Sequence, residues 1–384
     1  MIKIKTKELK DILSKLNVAI EKNVFNPQSG WVQIKIGKDG EVELKVSNFD
    51  YYVKSSFNTE NTEGEEIIAT VEAGTFIPLV AKLSNEYTNI YRDDKSLVLE
   101  TENNLYTFPL QINLTTGEVA DITEIHFDCN NYSNSALSGE EVVSIATITA
   151  KGINDNSSCK KIYQHFVYVD NFGAEAFMDN IYVNEFKCNE EEFKELGFKI
   201  LLSKTQSKIL SIFDGVDEIN IKVEDTDNDE AKRRVEFSAD NIVVVFITQP
   251  MSIVKQFPSE KLRNIAKETS KTHVTIDREE LNKALARLMV FDKKFGANVL
   301  DYSKIEWGKD SCKLVSVKSK NYEIIPYIKK EGTYEHESII RFADLVEQLK
   351  AFTSKEIDMS YGESPVIVIN AEELKQLIPE IVKK

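Results

Sequence analysis

The sequence predicts an α+β protein of three similar domains. Each holds two strand–helix–strand–strand–strand units, with helices on one side and antiparallel sheets on the other. Three observations predict this class. Short amphipathic helices recur six times at a spacing of about 65 residues. Between them hydrophobicity alternates residue by residue, the period of a half-buried strand. The length of 384 residues divides into three parts of 128, each with room for two units.

The helices follow the i, i+3, i+4, i+7 pattern. The first carries Leu9, Ile12, Leu13 and Leu16; the second carries Phe76, Leu79, Val80 and Leu83. The third, Val142, Ile145, Ala146 and Thr149, ends on a polar residue. The fourth opens on Gln206 before Ile209, Leu210 and Phe213. The fifth has Leu281, Ala284, Leu285 and Leu288, and the sixth Phe342, Leu345, Val346 and Leu349. First members fall at 9, 76, 142, 206, 281 and 342, so the spacings are 67, 66, 64, 75 and 61.

Strands WVQIKIG, EVELKVS and YYVKSSF follow the first helix, separated by Lys38-Asp39-Gly40 and Asn48-Phe49-Asp50. IIATVE leads into the second helix, and TNIYR, SLVLET and LYTFPL follow it. The order returns near HVTID, the fifth helix, SKIEWG, CKLVSV and YEIIPYI. Strands with one polar face pair antiparallel and cover one side of a layer. The expected domains are 1–124, 125–250 and 251–384. The second boundary stretch, 249–272, holds Pro250, Pro258 and a charged run, and reads as a connector without strong periodicity.

Composition narrows the function. With 48 Lys+Arg against 63 Asp+Glu the net charge is −15, which argues against coating nucleic acid by phosphate neutralisation. The longest apolar run, Ile242–Ile247, is too short to span a bilayer, and the N-terminus is charged from its third residue. Cys129, Cys159, Cys188 and Cys312 are scattered, as expected for reduced thiols in a cytoplasm. His126, His165, His273 and His336 lack metal-ligand spacing, and neither a Walker loop nor a dinucleotide glycine pattern occurs. Asp225, Asp227, Asp229 and Glu236 hint at a calcium loop, but Glu230 stands where its glycine belongs, so DTDNDEAK reads as a hairpin turn. No catalytic residue, metal or cofactor is expected. A nuclease using clustered carboxylates is the enzyme alternative.

Charge is sorted between the layers. The helical segments 7–22, 73–86, 138–152, 202–214, 277–294 and 342–353 hold 14 basic and 13 acidic residues. The helices are therefore +1 and the remainder −16. Any one of these lysines reads as a solubilising residue; the sorting across all six helices points to a face that tolerates a polyanion.

These features resemble the bacterial sliding clamp, the beta subunit of DNA polymerase III. MIKIKT followed by ELKDILSKL and Lys22, FIPLVAKLS, and above all TIDREELNKALARLMVFD are similar to the first, second and fifth helices of that family. The resemblance covers the whole chain. Two departures suggest a divergent, phage-like clamp with an altered partner pocket. Ala176–Val183 keeps only Asp179 of an A-T-D-G-H-R-L-like stretch, and Leu377–Val382 replaces a V-M-P-M-R-like tail. Pro379 fits a final strand better than the helix suggested by AEELKQL.

The resemblance implies a non-catalytic processivity factor, a head-to-tail homodimer that encircles duplex DNA and tethers a replicative polymerase. Twelve helices about 9–10 Å apart would leave an opening of roughly 25–28 Å. Retention would be topological, so an acidic protein can hold DNA. The DNA-facing residues implied are Lys10, Lys15, Lys22, Lys82, Lys151 and Lys204, with Lys208, Lys283, Arg287, Lys293 and Lys294. Polymerase and clamp loader would bind by short Gln-Leu and Leu-Phe-containing peptides. Their pocket would comprise Tyr163, Met178, Val183 and Pro250, with Val254, Ile378, Pro379 and Ile381. Tyr106 and Phe108 would meet Val290 and Phe291 across the dimer interface. A clamp-like binding scaffold that no longer tracks DNA is the non-replicative alternative.

Overall fold

The computed structural model describes the chain except residues 61–63, 157–158, 171–172, 179–180, 186–197, 269–270, 295–301, 317, 372–373 and 382–384. The order strand, helix, three strands occurs six times, with one extra short strand, Lys329–Glu331. The six helices are Thr6–Leu16, Ala73–Lys82, Gly139–Thr147, Lys204–Ile209, Arg278–Lys294 and Phe342–Leu349. The fold is α+β with antiparallel ladders. It divides into two compact units, Met1–Thr147 with Leu196–Ser252 and Ile148–Glu195 with Ile253–Lys384.

In the first unit a four-stranded sheet runs in the order Ile2–Lys5, Tyr87–Arg92, Ser96–Glu100, Leu105–Pro109. An eight-stranded sheet begins Ile67–Glu72, Trp31–Ile36, Glu41–Ser47, Tyr51–Asn58. It continues Ile242–Thr248, Arg233–Ala239, Glu218–Glu224, Tyr132–Ser138. The first and second helices pack together, as do the third and fourth. Leu9, Leu13, Leu16, Phe76 and Val80 form the buried stripes that the 3.6-residue period selects.

Gln206, which interrupts the fourth stripe, is buried and fully used. Its Oε1 accepts the Ser203 N–H at 2.9 Å, while Ser203 Oγ accepts the Gln206 N–H at 3.2 Å, a reciprocal capping box. Its Nε2 donates to the carbonyls of Ile247 (2.9 Å) and Asp50 (3.2 Å), at the junction of the two halves of the large sheet. Gln206→Leu therefore removes the side-chain partner of the Ser203 N–H and of the Ile247 carbonyl, while the Asp50 carbonyl keeps the Ile247 N–H at 2.9 Å. We expect a loss of about 2–4 kcal/mol in denaturant unfolding; a loss below about 1 kcal/mol would show that water replaces the side chain.

The stretch between the small sheet and Tyr132 is strapped to the large sheet. Gln33 donates to Asp121 at 2.9 Å, Thr70 to the Ala120 carbonyl at 2.6 Å, and Lys45 to Glu124 at 2.5 Å. Lys45 also meets Glu43 at 3.4 Å, and Lys54 reaches Glu43 at 3.1 Å. Burial opposes ionisation of Glu43, but Lys54 and Lys45 outweigh it and hold its carboxyl below the usual range. A depressed carboxylate contributes stability above its unfolded value, and that contribution disappears as pH falls through the folded one. Glu43→Gln should flatten the acid limb of the stability curve; an unchanged limb would remove this cluster from acid unfolding.

In the second unit eight strands follow the order Phe166–Asp170, Gly173–Met178, Ile181–Glu185, Leu374–Pro379, Val366–Ala371, Glu356–Tyr361, Thr272–Asp277, Lys329–Glu331. A four-stranded sheet runs Tyr322–Pro326, Ser311–Val315, Ser303–Trp307, His336–Ile340. The fifth and sixth helices cover a core containing Leu281, Leu285, Leu288, Leu345 and Leu349. Asp277 caps the fifth helix by accepting the N–H groups of Glu279 (2.9 Å) and Glu280 (3.0 Å). Leu374–Pro379 is a strand, as Pro379 argued. DTDNDEAK joins two antiparallel strands.

The connector differs from expectation. It contains a one-turn helix, Met251–Val254, and a ten-residue helix, Ser259–Glu268. Leu262 and Ala266 supply its buried stripe. That stripe is too short to fill the four-member template, which is why the periodicity did not reveal it.

Candidate functional site

The helical cations separate into two groups. Lys22, Lys82, Lys151, Lys204 and Lys208 are exposed. Lys283 is exposed and 3.4 Å from Glu279 one turn away. Lys10 and Lys15 are half-buried: Lys10 donates to the Leu83 carbonyl and Lys15 reaches the Asp214 carbonyl at 3.5 Å. Both tie helices together. Arg287 forms a bidentate pair with Glu323 at 2.9 and 3.0 Å. Lys293 and Lys294 end the fifth helix, and their side chains lie outside the described residues.

The sheets show a pairing rule among the third strands that follow each helix. That of the first repeat, Tyr51–Asn58, pairs with that of the fourth, Ile242–Thr248, with Val53 opposite Val244. That of the third, Ile181–Glu185, pairs with that of the sixth, Leu374–Pro379. The remaining two, Leu105–Pro109 and Tyr322–Pro326, are sheet edges. Both bear apolar residues on their outward face: Leu105 is 58% exposed, Tyr322 58% and Ile324 56%. Sequence reading missed these three residues. For Tyr322 and Ile324 the available signal was YEIIP itself, which is apolar on both faces.

Of the residues implied for an interface, Val290 and Phe291 protrude at 67% and 46% exposure. Tyr106 is half-buried and borders a cleft of about 280 Å³ lined also by Pro78, Leu79, Lys82 and Leu83. Phe108 points inward, its ring edge-on to Phe76 at 5.0 Å.

Of the residues implied for a peptide pocket, Tyr163 belongs to an aromatic cluster within the second unit. Tyr163 stacks on Phe177 (6.5 Å, 14°) and meets Phe257 edge-on (6.0 Å, 76°). Phe257 lies flat on Tyr168 (4.7 Å, 7°). Val254 and Ile378 are sealed inside, and Pro379 and Ile381 are half-buried. The Ile381 N–H donates to the Ile339 carbonyl at 2.8 Å. Met178 and Val183 sit on described strands, with side chains outside the described residues. Pro250 is half-buried and belongs to the first unit. Phe177, Phe257 and Tyr168 were not anticipated, because a cluster drawn from distant strands leaves no local pattern.

Beneath this cluster Arg263 forks onto Asp170 (3.0 and 3.2 Å) and donates through Nε to Glu175. Both carboxylates are almost fully buried. Burial opposes the charge on Arg263, but Glu175 and Asp170 more than restore it. Burial pushes the Glu175 carboxyl up despite Arg263.

Comparison with solved structures gives full-length similarity. The DNA polymerase III beta subunit of Thermotoga maritima matches with a TM-score of 0.79 at 17% identity, over 100% of this chain and 99% of that one. The chain has the beta-subunit clamp fold. The DNA polymerase sliding clamp of Bacillus subtilis matches at 0.76 and 16% identity, over 100% and 99% of the two chains. The beta subunit from Streptococcus pyogenes matches at 0.77 and 15%, over 100% of both. No protein-family model and no curated protein sequence matches. The fold is thus shared while most residues differ. Among the described residues, no cluster of three or more His, Cys, Asp or Glu could hold a metal. None of the described helices is long and apolar enough to cross a membrane.

Proposed function

We propose that this protein is a DNA sliding clamp: two chains join head to tail into a ring around duplex DNA and tether a replicative polymerase. The third-strand pairing rule carries this reading. The first repeat of domain 1–124 pairs with the second repeat of domain 125–250, and the first repeat of that domain with the second repeat of 251–384. Continuing the rule joins the first repeat of 251–384 to the second repeat of domain 1–124 in another chain. That step pairs Tyr322–Pro326 with Leu105–Pro109, the two leftover apolar edges. A heterologous contact that repeats once and closes makes a two-chain ring. Phe291 and Val290 fit the cleft beside Tyr106 as its apolar anchors.

Within the ring the exposed helix lysines would line the bore and touch phosphates weakly, leaving retention to topology and the duplex free to slide. The protein itself would perform no chemistry. Its partners would be duplex DNA, held without sequence preference, and the peptide tails of polymerase and loader at the aromatic cluster. Retention on nicked circular against linear duplex tests the reading. A clamp stays on the circle and runs off the linear form. Equal loss from both would favour the non-replicative scaffold, and metal-dependent degradation of both a nuclease.

A further inference from the structure

The ladders repeat position by position. In the first, second, fourth and fifth repeats, an isoleucine faces the fourth residue before a helix. Ile34 faces Ala69, Ile90 faces Ile2, Ile221 faces Ser135 and Ile305 faces Ser338. From these isoleucines the ladders run to Leu44, Leu99, Phe237 and Leu314 in the second strands. They end on Ser55, Tyr106, Val244 and Glu323 in the third strands. Glu323 therefore holds the place of Ser55, and Tyr106 the place of Val244.

The junction inside the eight-stranded sheet sets Val53 opposite Val244 and Ser55 opposite Ile242. The same offset at the two leftover edges sets Asn321 opposite Tyr106, Tyr322 opposite Leu105 and Glu323 opposite Asn104. Burial fixes the parity: Leu105, Tyr322 and Ile324 stand outward, whereas Phe108 and Ile325 are buried. A slip of one residue would set outward side chains against inward ones. A slip of two toward the turn at Thr101–Asn104 would set Glu323 opposite Glu102, like charge on like. In the internal offset Leu105 meets Tyr322, whose ring lies under Lys313 at 4.7 Å, and Glu323, held by Arg287, meets Asn104. The seam is short. Ten residues separate Leu44 from Ser55 and eight separate Leu314 from Glu323, so the second turn is two residues tighter. Of the five ladder pairs in the internal junction, three carry over.

We propose that a second copy of this chain docks in that one register, laying Asn104–Tyr106 along Asn321–Glu323 with Leu105 on Tyr322. This rests on the ring reading and adds to it the residue-by-residue address of the joint.

The test is disulfide capture in the full-length chain, read as a covalent two-chain species on a denaturing gel. Linked peptides are identified by mass spectrometry, and single variants control for the four native cysteines. Directly opposed residues lie about 4.5–5.5 Å apart at Cα, inside the range a disulfide spans, whereas diagonal neighbours are about 7–8 Å apart. Leu105→Cys with Tyr322→Cys reports the proposed register. Asn104→Cys with Glu323→Cys reports the same register and leaves both apolar anchors in place. Leu105→Cys with Ile324→Cys reports a slip of two, and Thr107→Cys with Ile324→Cys a slip of four, which would pair the two strands along their whole length. We expect the first two pairs to link at least about tenfold faster than the slipped pairs. Faster linking in a slipped pair overturns the register and leaves the ring standing. No linking in any pair, with wild-type protein running as two chains, overturns this use of the two edges. If wild-type protein sediments as single chains, the ring reading itself fails and the register fails with it.

Discussion

Phe291→Asp and Leu105→Asp should each give single chains of 43.7 kDa in sedimentation, where the proposed ring requires the wild type to run at twice that mass. In the proposed ring Phe291 enters the cleft lined by Pro78, Leu79, Leu83 and Tyr106, and Leu105 joins an edge-to-edge strand pair. A carboxylate carried to Leu105 loses its water and gains no cation; one at Phe291 loses its water in a cleft whose single cation, the exposed Lys82, offsets only part of that cost. An unpaired charge in such a site costs about 3–5 kcal/mol. That corresponds to a roughly 150- to 5,000-fold weaker contact. A two-chain ring contains the contact twice, so a single substitution damages both joints. The same variants should lose retention on circular DNA while keeping wild-type secondary structure, since both side chains are exposed in the isolated chain. A stable dimer in both variants would place the interface elsewhere. Phe108→Asp differs: its ring packs on Phe76, and its loss should unfold the small sheet before it separates chains.

Reversal of Lys22, Lys82, Lys151, Lys204, Lys208 and Lys283 to Glu should separate loading from retention. These six lysines are exposed on the helices, whereas Lys10 and Lys15 are half-buried and bonded to carbonyls and Arg287 is held in a two-point pair with Glu323. Each phosphate contact contributes a slope of roughly −0.9 in log affinity against log salt. If half of the six engage DNA, the salt slope of loading should flatten by about 3 per chain, and loading at low salt should fall at least about tenfold. Rings already closed on a circle should persist at wild-type lifetimes, because topology holds them and salt does not screen topology. Unchanged loading after all six reversals would overturn the bore assignment. A shortened lifetime on the circle would show that charge, in place of closure, had been holding the DNA.

The repeat was legible because its signals are local. Leu9-Ile12-Leu13-Leu16 and its counterparts mark helix faces from within a few turns, and WVQIKIG or EVELKVS mark strands by alternation alone. Pro379 placed the last strand correctly because a missing N–H is a local fact too. Gln206 looked like a flaw in the fourth stripe; its partners, Asp50 and Ile247, lie too far away in sequence for any window to include them. The Arg263 clamp is the same case, since its carboxylates lie about 90 positions upstream, on strands that bring Phe177 and Tyr168 along with them. The helical cations show the limit most directly. Position on a helix identified all of them equally, whereas tertiary contacts single out Lys10 and Lys15, bonded to carbonyls, and Arg287, paired with Glu323.

By itself, then, the sequence determined the six repeats, their layered α+β class and the near-neutral helices within an acidic chain, because periodicity and charge are written residue by residue. Only the tertiary structure decided which third strands pair and which two remain as edges. Alternation tells a strand which face to bury but carries no address for its neighbour, and that address is settled when whole sheets come together.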